Sequence, residues 1–150
     1  MAETIVIGEI AFTLDSNGEY MGKMMIWGRL TEVFLEFEGE KEEVTDSVME
    51  KINWLNTNRE KVVDAFMVEN DHYIEVVNEM IAQGDFDANQ KINEDDFRKA
   101  LFVHNVSFFL NGRNSEFSLD LDANPDYLLG HLAAMEINST YEVEFGGLNG

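Results

Sequence analysis

The chain contains no cysteine and a single proline, Pro125. The first absence excludes disulfides and thiolate metal sites and fits a reducing, cytoplasmic compartment. The second argues against proline-rich recognition segments and linkers between domains. No apolar run approaches the roughly 18 residues that a membrane span requires, so no membrane insertion is expected. The opening stretch MAETIVIGEIAFTL carries Glu3 and Glu9 and lacks a basic leader, which argues against a secretory signal. Cationic residues are scarce as well. Lys and Arg number 10 against 30 Asp and Glu, a formal net charge of −20, and none follows Arg113. Such a field repels phosphate backbones, so nucleic-acid binding is disfavoured. It favours solubility and steered encounter with a basic protein partner.

What is present is apolar material in quantity. Of 150 residues, 45% are hydrophobic, with 11 Phe and 8 Met, enough for one packed domain spanning 1–150. The first forty residues have strand character. TIVIGEIAFTL is apolar and β-branched, DSNGEY holds the Asn17-Gly18 hairpin signal, and KMMIWGRL follows with Trp27-Gly28 inside it. EVFLEFE alternates Val33, Leu35 and Phe37 with glutamates, as a half-buried strand does. From Glu40 the period changes. Val44, Val48, Ile52 and Leu55 recur on one helical face, with Thr45 or Asp46 near the helix start. The segment from Asn58 to Gly84 predicts a second, longer helix, with Asn58 as N-cap and Gly84 as its stop. EDDFRKALF predicts a short helix.

The remainder is again strand-like: FVHNVSFFL, a turn at Asn111-Gly112, EFSLDLD, HLAAMEI and YEVEF, ending in a glycine-rich tail. The expected fold class is α+β. An antiparallel sheet of about six or seven strands would be formed by the N- and C-terminal segments, with the central helices of 42–83 packed on one face.

Residues 84–97, GDFDANQKINEDDF, have the outline of a calcium loop, with Asp85, Asp87 and Asn89 at the first, third and fifth positions and Asp96 at the twelfth. Three residues spoil the match. Gln90 stands where glycine is required, Asp96 is shorter than the usual glutamate, and Gly84 stops the helix that should enter the loop. The pentad DFDAN at 85–89 also recurs as DLDAN at 120–124, so an acidic chain produces the pattern without calcium. The simpler reading is a capped connection. Gly84 ends one helix, Asn93 caps the next, and Glu94, Asp95 and Asp96 complement its dipole.

Of the three histidines, His72 reads as a surface residue and His104 lies in a strand without a second ligand nearby. His131 opens a strand after Gly130, within reach of Asp126 and Tyr127. Catalytic fingerprints are missing: no Gly-x-Ser-x-Gly, His-Glu-x-x-His, P-loop or dinucleotide motif occurs, and no cofactor is implied.

FTLDSNGEYMGKMMIWG at 12–28, INEDDF at 92–97, DYLLGH at 126–131 and the final FGGLNG together resemble a bacterial family of uncharacterised proteins, a domain of unknown function. The resemblance implies an α+β fold, no established activity, and a Gly-His pair, Gly130-His131 here, opening a late strand. Some similar proteins look like immunity partners of bacterial toxins. The chain departs from that pattern at Leu129, where an aromatic residue often precedes Gly-His. The leading expectation is a cytoplasmic, non-enzymatic acidic binding protein of immunity-like type. The alternatives are divalent-cation binding through Asp85, Asp87, Asn89 and Asp96, and a hydrolase or isomerase centred on His131. The sequence does not fix an oligomeric state.

Overall fold

The computed structural model describes residues 3–112 and 115–149. Four strands come first: β1 (Thr4–Ile7), β2 (Ile10–Leu14), β3 (Tyr20–Ile26) and β4 (Arg29–Glu38). Four helices follow: α1 (Lys41–Thr57), α2 (Arg59–Asn70), α3 (Tyr73–Gln83) and α4 (Glu94–Ala100). The chain then returns to strands with β5 (Leu101–Asn111), β6 (Glu116–Ala123), β7 (Leu132–Ile137) and β8 (Val143–Asn149). All the strands form one sheet whose spatial order is the chain order, β1 to β8. The α+β class therefore holds, and no described helix is long and apolar enough to cross a membrane.

The sheet has eight strands, not six or seven. One tight turn hidden in apolar sequence adds the extra strand, and a second moves a strand boundary. Gly8 and Glu9 take positive φ (55° and 70°) and fold TIVIGEIAFTL into a β1–β2 hairpin. Trp27 and Gly28 do the same (51° and 82°), so they form the β3–β4 turn and do not lie inside a strand. Two successive positive φ values suit the right-handed twist of the flanking strands. At the C-terminus, Gly146 and Gly147 belong to β8 and are not a loose tail; β8 meets β7 across an irregularity at Ala134/Met135.

Every neighbouring pair is antiparallel except the central one. Strands β4 and β5 run parallel, from Glu32↔Asn105 to Glu38↔Asn111. The helical segment between them carries the chain back to the starting end of the sheet, as a parallel crossover requires. A purely antiparallel sheet thus gives way to two antiparallel meanders joined at one parallel seam.

Strand alternation shows how the core is built. In β3 the burial pattern alternates strictly from Tyr20 to Ile26, and β6 buries Phe117, Leu119, Leu121 and Ala123. These inward residues join Val44, Val48, Ile52 and Leu55 of α1 and Val62, Val63 and Phe66 of α2 in one core. The helices cover one sheet face, as the alternation predicts. The long second helix divides at Asp71 and His72, where Asn70, buried, turns its amide back to the Phe66 carbonyl at 2.9 Å. A local bond of that kind competes with the helix ladder. Asn58 marks the start of α2 but makes no capping bond there; its amide donates to the Trp54 carbonyl of α1. Helix α1 starts at Lys41, after the extended Glu40 and ahead of Thr45 and Asp46.

Candidate functional site

The sheet face opposite the helices lies open. Register places its side chains in rows across the strands. One row runs Met21, Phe34, Ser107, Ser118, Glu136 and Glu144. Neighbouring rows set Lys23 beside Glu32, Asn105 and Asp120, and Glu36 beside Phe109 and Glu116. Carboxylates from β4, β6, β7 and β8 are the commonest side chains, and apolar ones stand among them: Met25 is 55% exposed, Leu30 64% and Phe109 44%. At the β6–β8 side the face dips into a concavity of about 560 Å³. Its lining includes Phe109, Glu116, Ser118, Glu136, Glu142 and Glu144. Asn138 shapes the rim, its Oδ1 accepting the backbone N–H groups of Thr140 and Glu142 at 3.0 and 2.9 Å.

The residues singled out around Gly130-His131 lie elsewhere, in the turn between β6 and β7. Asp126 accepts the Gly130 N–H at 3.1 Å, and Leu129 and Gly130 take successive positive φ values of 57° and 85°. Glycine at position 130 is thus a backbone requirement of the turn. The His131 N–H donates to the Leu128 carbonyl, and β7 begins one residue later, at Leu132. Tyr127 is buried. Its ring stacks on Phe97 and tilts against Phe86, both at 5.6 Å between centroids. Burial, with the Asp96 charge adding to it, raises the Tyr127 phenol above its ordinary range.

That packing joins the two sets of candidates. The 85–89 segment and the turn after 120–124 meet through Phe86 and Tyr127, so the repeated pentads flank one aromatic contact. The loop itself is organised by hydrogen bonds. Gly84, left-handed at φ 79°, ends α3, and Asp85 N–H closes on the Met80 carbonyl. Asn78 pins Ile92 through paired bonds of 2.7 and 2.9 Å. Asn93 and Asp96 form a reciprocal capping box at the start of α4. The Asp96 carboxylate therefore has a partner, and Gln90 does not take the positive φ of a loop glycine. Among the described residues, no group of three or more His, Asp or Glu side chains converges as a metal site would require.

An uncovered sheet face and an acidic surface were expected from the sequence, but the residues that share rows on that face were not, because they depend on a register between strands far apart in the chain. Also unforeseen is a set of cations, including Arg98 of α4, whose guanidinium holds Glu60 and Asp64 of α2. Those carboxylates raise the Arg98 guanidinium further still. The chain matches no known protein family, no curated protein and no solved structure.

Proposed function

We propose that this is a non-enzymatic acidic binding protein whose open sheet face receives a basic protein partner, in the manner of a toxin-neutralising immunity protein. The observation that carries the reading is the concavity on the uncovered face, where Glu116, Glu136, Glu142 and Glu144 surround a space of about 560 Å³ beside exposed Phe109. Such a recess suits a Lys or Arg side chain, and the aromatic rim supplies apolar contact. The −20 charge adds long-range attraction that speeds encounter and selects against acidic proteins. The Gly130-His131 turn serves the fold, because the backbone N–H groups of Gly130 and His131 close the turn on Asp126 and Leu128.

The test uses the protein as bait in a lysate of its source organism, with the captured protein identified and its kinetics measured. A basic partner should associate more slowly as salt rises from about 0.01 M to 0.15 M, where the Debye length falls from about 30 to 8 Å, while dissociation changes little. Glu136→Gln with Glu144→Gln should cut association several-fold, whereas Glu60→Gln on α2 should not. A partner indifferent to salt, or equally well held by the double variant, would remove the sheet face from the mechanism.

A further inference from the structure

The parallel seam opens at one end. Pairing between β4 and β5 starts at Glu32↔Asn105, so the preceding residues of each strand, from Arg29 and from Leu101, flank a gap. A cavity of about 340 Å³ lies there, with Trp27, Arg29, Arg59, Lys99, Phe102 and Asn124 among its walls. No carboxylate lines it. In a chain with 30 acidic residues and only 10 basic ones, a wall holding three cations and no acid runs against the average composition.

The wall is held in place. Trp27 is fixed by its indole N–H, which donates to the Leu55 carbonyl at 2.9 Å, and by its backbone N–H, which donates to Asn56 Oδ1 at 2.9 Å. Arg59 lies over the Trp27 ring at 5.0 Å and donates from one nitrogen to the carbonyls of Arg98 and Leu101, at 2.6 and 3.0 Å. Its side chain is 27% exposed, and its other terminal nitrogen is 3.6 Å from Glu60 outside the cavity. Arg29 stacks on Phe102, 3.7 Å from the ring centroid, and no carboxylate pairs with it among the described residues. Stacking occupies the face of a guanidinium and leaves its edge donors available. Lys99 has only an exposed i,i+4 pair with Asp95, a kind of contact that contributes little.

We propose that this cleft binds the phosphoryl group of a small phosphate monoester. Arginine edges match phosphate oxygens with paired hydrogen bonds, and Arg29, held by its stack on Phe102, loses little freedom on binding. A dianion gains more than a single carboxylate from a wall that holds Arg29 unpaired and Lys99 and Arg59 only at exposed pairs, which matters where the rest of the molecule repels anions. The cavity lies at the lower end of the size range of small-molecule sites, so the group attached to the phosphate is small.

The site can be read by titrating isotope-labelled protein with glycerol phosphate and inorganic phosphate while following the Trp27 indole and the amides of 99–104 by NMR. Chloride and succinate at matched ionic strength serve as comparisons. Saturable shifts confined to this cleft are expected with both phosphates, weakened at least tenfold in Arg29→Gln and in Lys99→Gln, neither of which removes a bond that holds the fold together. Shifts that do not saturate, that chloride reproduces, or that survive both substitutions would overturn the site. Succinate binding as tightly as the phosphates would overturn the phosphoryl assignment.

Discussion

Lys51 is a charge inside the core, 6% exposed on the buried face of α1. Its amine donates to Ser47 Oγ at 3.1 Å and stands 5.8 Å from the Tyr141 ring, and no carboxylate pairs with it among the described residues. Burial pushes this amine below its ordinary range, with Glu50 opposing the shift. The sign of the linkage follows. Between the lowered folded value and the unfolded value of about 10.4, the unfolded chain binds more protons, so stability gained from this group rises with pH. Below the folded value, the full cost of burying the cation remains. Lys51→Met keeps most of the apolar stem and removes the charge. It should stabilise the protein at pH 7 by on the order of 1 kcal/mol, in line with other buried charges replaced by apolar side chains. Urea unfolding at pH 7 and near the unfolded value of about 10.4 checks this. The gain should shrink at the higher pH, and a gain or loss that is the same at both would show that Lys51 is not held there as a strained cation.

Among the elements, the loop of 84–93 is the one whose sequence carries two competing messages, a cation loop and a capped connection. Its hydrogen bonds follow the second, with Gly84 ending α3, Asn78 pinning Ile92 and the Asn93–Asp96 box starting α4. Millimolar calcium should therefore raise the melting temperature no more than equimolar magnesium. Asp85→Asn with Asp87→Asn should be neutral or slightly stabilising, since it removes two charges from an acidic region. A calcium-specific rise abolished by that double substitution would make the loop a working site; a ligand at a hundred times its Kd adds about 2.7 kcal/mol, well within detection. The capping box and the Gly84 stop were legible because each depends on residues within a few positions of one another. So were the strands of period two and the buried stripe of α1. The turns at Gly8-Glu9 and Trp27-Gly28 were not, because the left-handed residues include Glu9 and Trp27, which carry no turn signature. The break at Asp71–His72 was hidden by apolar spacing that continues from α2 into α3. The parallel seam was hidden for another reason: four helices and their connections separate β4 from β5, and only their combined path fixes strand direction.

At the scale of the whole molecule, charge is divided unevenly. The open face gathers glutamates and aspartates from β4, β6, β7 and β8, while Arg29, Arg59 and Lys99 gather at the mouth of the seam. Neither grouping is visible along the chain, since each combines residues from segments brought together by the sheet. A net charge of −20 also sets the protein against itself, because repulsion among like charges is relieved on unfolding. Short-range pairs such as Arg98 with Glu60 are screened by salt as well, but the described ion pairs are few beside the unpaired acids. Screening should therefore stabilise the fold. Between about 0.01 M and 0.15 M sodium chloride the melting temperature should rise, by roughly 2–4 °C if the relief is about 1 kcal/mol in a domain of this size. Glu136→Gln with Glu144→Gln should raise the low-salt melting temperature and reduce its dependence on salt, because those facing carboxylates repel each other across β7 and β8. Calorimetry at both salt concentrations decides the point. A melting temperature that falls with salt would mean that attractive pairs, not the excess of negative charge, govern the stability of the folded state.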